Sequence, residues 1–348
     1  MKAALLYRNS EIYVEGYSRR YPELPLVEEP LVITDIMEPS LGDHDVLLKI
    51  EACGVCYTDI DIIEGRVRCK IPVIPGHQVV GRVIDKGDQA PSELIGTRVG
   101  VAWIYGSCGN CFYCRRGLEN LCVDFKATGC HANGGYAEFM AVNPEYTYIL
   151  PSSVDPVKLA PLMCAGAVGY RALKLLEVKS GEVLGLFGFG ASAHIVIQVA
   201  RLLYPDVEVY VFTRSLEHQD HAWRLGASWV GHPYETPPRL LDKAIDFTPV
   251  GEIIPRILEL VRPGGRLVVN VIRKQTPVNL EYEKHLWMER EIKSVANVTR
   301  KDVKELLELT SRRPVDLNTV EYSLGDVNKA LRDVKSARIK GSAVLRIV

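Results

Sequence analysis

Four cysteines crowd into one stretch, Gly106-Ser-Cys108-Gly-Asn-Cys111-Phe-Tyr-Cys114-Arg-Arg-Gly-Leu-Glu-Asn-Leu-Cys122. Thiolates at this spacing can wrap a tetrahedral zinc, and a closed set of four leaves no position open for reaction, so the expected role is structural. Iron–sulfur chemistry is the rival, because bacterial ferredoxins also begin with C-x2-C-x2-C. Their fourth cysteine, however, follows after three residues and precedes proline. Here seven residues intervene and Val123 follows.

A second stretch with chemical meaning is Gly188-Phe-Gly190-Ala191-Ser192-Ala193, which follows an apolar run and opens a helical pattern. That context makes the G-x-G-x-x-G/A spacing credible as a dinucleotide turn. Gly188 permits the tight turn, Gly190 lets a pyrophosphate approach the backbone, and small Ala193 lets the helix pack. The helix N-terminus favours the anionic phosphates. The next strand ends in Thr213-Arg214-Ser215, without the Asp or Glu that holds the ribose 2′-hydroxyl of NAD. Two hydroxyls flanking an arginine suit a 2′-phosphate, which arginine grips bidentately. NADP is therefore expected over NAD, with Arg214 as solvated surface charge the competing reading.

Two kinds of fold must position these groups. The chain has 348 residues, 47% of them hydrophobic, a size that usually divides into two domains. As far as about Leu150, short β-type runs are separated by Gly, Pro and Asp, as in an irregular β-barrel. From about Pro151, apolar strands alternate with amphipathic helices, the pattern of an α/β doubly wound parallel sheet. Strands are expected over 183–187, 208–212, 229–230, 244–247 and 266–271, and helices over 159–176, 191–203, 217–225 and 253–261. Arg262-Pro-Gly-Gly265 reads as a turn between helix and strand. A helix over 303–309 and a strand over 342–348 are expected to return to the first domain. Residues 9–30 show no period that assigns them a role.

Lys+Arg 42 against Asp+Glu 43 leaves a net charge of -1, with no positive field to gather nucleic acid. The uncharged run 183–200 approaches the length of a membrane span, but its glycines and polar residues favour a strand–turn–helix. The apolar run at the N-terminus is far shorter than the roughly 7–15 residues of a signal-peptide core, so a cytoplasmic protein without a membrane partner is expected. In that compartment, nine cysteines suit metal ligands or spare thiols better than disulfides.

The cysteine loop resembles the structural-zinc lobe of the medium-chain, zinc-dependent alcohol dehydrogenases, with its Gly-x-Cys-x-x-Cys-x-x-Cys start and Gly-x-Glu-Asn-x-Cys end. The resemblance runs from Met1-Lys-Ala to Lys340-Gly-Ser-Ala-Val-Leu345. It implies a GroES-like catalytic domain over 1–150, a Rossmann NAD(P)-binding domain over 151–290, and a segment 291–348 returning to the first. Spacing alone would not join Cys56, His77 and Cys164. The family pattern does, through Cys53-Gly-Val-Cys56-Tyr-Thr58-Asp59, Pro75-Gly76-His77 and Ala160-Pro-Leu-Met-Cys164. It implies a second, catalytic zinc on these three residues, with the fourth position left for water or substrate oxygen. Such an ion lowers the pKa of water from about 16 to roughly 7 and would likewise acidify an alcohol or polarise a carbonyl. By the same resemblance Thr58 hydrogen-bonds the reacting oxygen and begins a proton relay, Asp59 orients the liganding histidine, and Lys340 approaches the pyrophosphate. Asn270-Val-Ile272 and Asn297-Val-Thr299 stand where relatives line the nicotinamide pocket. Cys53, Cys69 and Cys130 match no ligand position and are read as spare thiols.

Two residues depart from the pattern. Gln78 stands where most relatives have Glu, and Asp61 where many carry a His that passes the proton to water. A carboxylate with a pKa of about 3.9 is a poor donor at neutral pH, which leaves the last relay step open, and Asp61 as a solvated loop residue is the competing reading. The reading is a zinc-dependent alcohol dehydrogenase or ketone or aldehyde reductase using NADP(H). Its substrate is a small-molecule alcohol, aldehyde or ketone, and its assembly a homodimer or homotetramer. Two rivals stand beside it: a zinc-free quinone or enone reductase of the same fold, and a nucleotide-binding zinc protein without turnover.

Overall fold

The computed structural model describes residues 1–347; Val348, the end of the expected last strand, lies outside the described residues. The chain forms two compact units. One takes Met1–Cys164, Val298–Leu307 and the residues from Leu317 onward, the other Ala165–Asn297 and Glu308–Asp316.

The first unit is built on strands β1 (Val46–Val55), β2 (Gln78–Lys86), β3 (Arg98–Val101), β4 (Phe139–Val142) and β5 (Thr147–Ile149), with helices α1 (Tyr57–Ile63) and α2 (Pro156–Leu159). Leu48, Ile50, Val79, Val83, Val99 and Val101 are buried in its core. Each such side chain removed from water stabilises by roughly 1.5–3 kcal/mol.

The second unit carries α3 (Ala165–Leu176), β6 (Val183–Phe187), α4 (Ala193–Leu203), β7 (Glu208–Phe212), α5 (Leu216–Arg224), β8 (Trp229–Gly231), β9 (Leu241–Asp246), α6 (Ile253–Leu260), β10 (Val261–Val269) and β11 (Glu291–Ser294). Its sheet is wholly parallel, in the order β8-β7-β6-β9-β10-β11. All five residues of β6 are buried, as expected of a central parallel strand covered on both faces. Phe187 stacks on Phe212 with ring centroids 4.1 Å apart. The strand order reverses between β6 and β9, the kind of switch point at which open α/β sheets bind ligands, and β6 runs straight into Gly188.

Helix α7 (Arg300–Arg312) begins the return, followed by β12 (Thr319–Ser323), α8 (Val327–Lys335) and β13 (Ser342–Arg346). Strand β13 pairs with β1 and completes the seven-stranded sheet, β5-β3-β2-β1-β13-β12, with β4 also on β1. Neither β12 nor α8 has a counterpart among the expected elements.

Several expectations need correction. The helical run over 159–176 is not continuous. A 3-10 turn, Ala160–Met163, follows α2, and Cys164 then leaves helical geometry at φ -138°, ψ -67° before α3 begins. Pro161 has no N–H to continue the ladder. The first unit extends to Cys164 because residues 151–164 are tied to it: the Arg98 guanidinium donates to the carbonyls of Pro151, Ser152 and Val154, and Lys158 Nζ to that of Leu317. Arg262–Gly265 is not a simple turn but a bulge within β10, whose pairing with β9 shifts between Leu241↔Val261 and Lys243↔Arg266.

Cys69 and Cys130, expected as spare thiols, are joined by a disulfide across 61 residues. The expectation rested on compartment, whereas proximity comes from the fold. Lys70 N–H donates to Cys130 O at 3.1 Å, and Gly134 N–H to Ile74 O at 2.7 Å, laying the two segments side by side. Closing a loop of this length stabilises by roughly 4 kcal/mol in the chain-entropy account. A Cys69→Ser/Cys130→Ser protein should lose about that much in denaturant unfolding, and equal midpoints and slopes for the two proteins would refute the estimate.

Candidate active site and metal centres

Three ligand-type side chains meet in the first unit. Cys56 sits at the N-cap of α1, His77 follows the Gly76 turn at the start of β2, and Cys164 occupies the helix break. Their ligand atoms all lie within 4.8 Å of one another. Thr58 Oγ1 is 3.6 Å from Cys56 Sγ. Asp59, wholly buried, accepts the Cys56 N–H on Oδ2 at 2.8 Å and turns Oδ1 to His77 Nδ1 at 3.1 Å. With Nδ1 held there, His77 Nε2 is buried without a hydrogen-bond partner. A buried ring nitrogen with no partner, beside two thiols and with a carboxylate behind it, is the donor set a zinc ion requires.

Protonation in this cluster is skewed. The contact with Cys164 draws the Cys56 thiol well below its ordinary value against the effect of burial, and the same contact together with burial pushes Cys164 well above it. For His77, burial opposes the imidazolium, but the Asp59 carboxylate and Cys56 outweigh it and raise the pKa to about 10. A metal entering here must displace protons, the usual coupling at such sites.

The second cluster is the cysteine loop, whose four sulfurs also lie within 4.8 Å of one another. Cys108 Sγ is 3.9 Å from Cys114 Sγ and 3.5 Å from Cys122 Sγ. Backbone N–H groups point at sulfur, Cys108 N to Cys122 and Cys114 N to Cys111. The Cys114 amide lowers Cys111 to about 6, while burial lifts Cys122 to about 11. Buried Glu119 anchors the loop by accepting from Arg300 N–H at 2.8 Å and Nε at 3.3 Å. Thiolate-directed amides and four sulfurs in contact fit a closed zinc site.

The two departures from the family pattern have physical settings. Asp61 is buried and receives Arg66 Nε at 2.5 Å, so it is half of an interior ion pair and not a solvated loop residue. Gln78 is also buried, and its amide lies against Gly54, where a Cβ would come within 2.7 Å of Nε2. Trp103 is buried edge-on to His77 at 5.0 Å, whereas Phe112 and Trp287 are exposed. Sequence reasoning overlooked Tyr136, whose hydroxyl donates to Asp59 Oδ2 at 2.8 Å. A sequence separation of 77 leaves no local signal of the contact.

In the second unit, Gly188 adopts φ +86°, which favours glycine, and its N–H donates to Phe212 O at 2.8 Å. Gly190 faces open space, half-exposed Ala191 follows, Ser192 Oγ donates to Ala165 O at 2.6 Å, and Ala193 begins α4 fully buried. Thr213 is buried at the end of β7, and Ser215 caps α5. Arg214 between them is exposed, and among the described residues it has no hydrogen-bond or ion-pair partner. Asn270 and Asn297 each keep a buried amide oxygen without a partner. Exposed Lys340 belongs to the first unit, just before β13.

His194 follows the Gly188–Ala193 turn, buried, with Nδ1 3.3 Å from Gly190 O and its ring 5.9 Å from that of His221. Burial holds it neutral, lowering its pKa from 6.5 to about 4. The unfolded imidazole gains a proton below about 6.5 that the folded one refuses until about 4. Its contribution is therefore present above that window and lost across it, by roughly 3 kcal/mol in all. His194→Asn, which keeps a donor for Gly190 O, should flatten the decline of stability between pH 6.5 and 4; an unchanged slope would refute the assignment.

The alcohol dehydrogenase GroES-like domain family matches residues 42–152. A probable alcohol dehydrogenase of Mycobacterium tuberculosis is 41% identical over 329 residues, 93% of this chain and 94% of that protein. An alcohol dehydrogenase of Geobacillus stearothermophilus is 31% identical over 330 residues, 92% of this chain and 96% of that one. Among solved structures, a cinnamyl alcohol dehydrogenase of Sorghum bicolor superposes with a TM-score of 0.86 at 25% identity, over 99% of this chain and 97% of that one.

Proposed function

This chain belongs to the medium-chain, zinc-dependent alcohol dehydrogenase family, and from that premise we propose an enzyme that prefers NADP(H) and holds one catalytic and one structural zinc per chain. It is an oxidoreductase of small-molecule alcohols and carbonyls. The observation that carries the catalytic assignment is the unpartnered His77 Nε2 beside Cys56 and Cys164.

Cys56, His77 and Cys164 would hold the catalytic ion and Cys108, Cys111, Cys114 and Cys122 the structural one. When bound, the catalytic ion polarises the substrate oxygen as a Lewis acid. The chain's own residues do the rest. Asp59 fixes the proton of His77 on Nδ1 and keeps Nε2 free as a ligand. Thr58, beside Cys56, supplies the hydroxyl that holds the substrate's proton during transfer. Asp61, paired with Arg66, is not arranged to complete the relay.

The NADP preference is supported by the exposed, unpartnered guanidinium of Arg214 and by the absence of a carboxylate at the end of β7. Gly188, Gly190, Ala191, Ser192 and Ala193 form the pyrophosphate turn, with Lys340 as a further cofactor contact. A homodimer or homotetramer belongs to the same proposal, supported by edge strand β11, whose four residues are all exposed. A cytoplasmic location is also proposed, weighing the seven free cysteines, six of them in the two ligand sets, above the single Cys69–Cys130 disulfide; cell fractionation tests it.

The decisive experiment pairs NADPH and NADH across alcohols, aldehydes and cyclic ketones, before and after chelation, with metal analysis. Two zinc ions per chain and NADPH-driven carbonyl reduction that chelation abolishes are expected. Tight NADPH binding without turnover over the whole panel would favour the non-catalytic rival. Turnover of enones unaffected by chelation would favour the zinc-free reductase.

A further inference from the structure

We propose that Tyr136 is a positioning residue for the catalytic metal site, the bolt that sets the ligand from α1 against the ligand from β2. The inference rests on the zinc reading of Cys56, His77 and Cys164. Those ligands arrive on separate stretches of chain, and their spacing has to be fixed by something outside the ligand set.

Tyr136 touches both stretches. Its hydroxyl donates to Asp59 Oδ2 at 2.8 Å, the oxygen that also receives the Cys56 N–H. The other oxygen of the same carboxylate faces His77 Nδ1. Meanwhile its backbone is laid along the segment leading into His77: Tyr136 N–H donates to Pro75 O at 3.1 Å, and Gly135 N–H to Gly76 O at 2.9 Å. The ring closes over Gly76, where a Cβ would lie 2.5 Å from Cδ1, so the glycine beside the ligand is shaped to admit this side chain. Ala4 N–H donates to Tyr136 O at 2.8 Å and ties the bolt to the short strand Lys2–Leu5. Tyr136 and Asp59 are both fully buried, so the hydroxyl and not bulk solvent satisfies this side of the carboxylate.

Without that donor, Oδ2 keeps only the Cys56 amide, and the carboxylate is free to rotate away from His77. Changes in the residues behind metal ligands weaken metal affinity or activity by about 10–100-fold, and Tyr136, acting through Asp59, should fall near the lower end.

The test is Tyr136→Phe, which keeps the ring on Gly76 and deletes only the hydroxyl. Zinc release to a chromophoric chelator should be about tenfold faster from the catalytic site, with release from the cysteine loop unchanged. The absorption bands of the cobalt-substituted catalytic site should shift, and kcat should fall more than KM changes. Catalytic-site release at the wild-type rate, or equal loosening of both sites, would overturn the proposal. If the Phe variant does not fold, p-aminophenylalanine at position 136, which keeps the ring and puts an N–H donor in the place of the hydroxyl, should retain zinc to within about threefold of wild type; faster release from it would also overturn the proposal. A wild-type protein that binds no metal at Cys56, His77 and Cys164 would defeat the zinc reading itself, whereas a zinc-loaded wild type with an unaffected Phe variant defeats only the role of Tyr136.

Discussion

Cys56→Ser should lower kcat/KM by about 10³-fold and reduce the zinc content from two ions per chain to one. Losing the ion removes several kcal/mol of charge stabilisation at the reacting oxygen, and each 1.36 kcal/mol is about tenfold in rate. Serine is close in size, its hydroxyl can accept the helix N–H that the Cys56 sulfur caps, and Asp59 still receives the residue-56 amide. The fold should therefore survive, and the remaining zinc should be the one in the cysteine loop. Metal analysis with steady-state kinetics checks both halves. Full activity with two zinc ions would remove Cys56 from the site, while a serine variant that also lost the loop zinc would point to general unfolding.

Arg214→Asp should reverse the cofactor preference by on the order of 10²-fold, measured as the ratio of kcat/KM for NADPH and NADH. A hydrogen-bonded contact to a charged group is worth roughly 1.5–3 kcal/mol, and a carboxylate adds repulsion toward the 2′-phosphate while offering an acceptor to the 2′-hydroxyl. The guanidinium is exposed and unpartnered, so its removal breaks nothing else. Ser215, engaged as the α5 cap through His218 N–H at 3.5 Å, should contribute less than the arginine. An unchanged ratio would mean that Arg214 is surface charge alone.

The parts of this protein legible from sequence are those whose partners lie close along the chain. Cys108, Cys111, Cys114 and Cys122 announce a metal loop because all four ligands fall within one turn-rich stretch. Strand β6 is a continuous apolar run, β7 is one after Glu208, and Gly188 to Ala193 sits between a strand and a helix, the setting expected of a dinucleotide turn. Cys56, His77 and Cys164 are different. No periodicity joins them, and only a family pattern placed them together in advance.

Burial, even of a pair as near in sequence as Asp61 and Arg66, and contacts between distant segments left no such trace. Asp61 is a solvated residue or half of an ion pair depending on where Arg66 points, and the fold buries both side chains together. The break at Cys164 lies inside a run whose composition reads as one helix. Cys69 reaches Cys130, and Tyr136 reaches Asp59, because residues 129–136 are laid along 70–76 by backbone hydrogen bonds. Sequence alone determined the two fold classes, the four-cysteine loop and the glycine turn between β6 and α4, since local spacing and side-chain period encode them. Tertiary structure decided which buried groups face one another across the chain, because a buried carboxylate or imidazole takes its state from its neighbours in space.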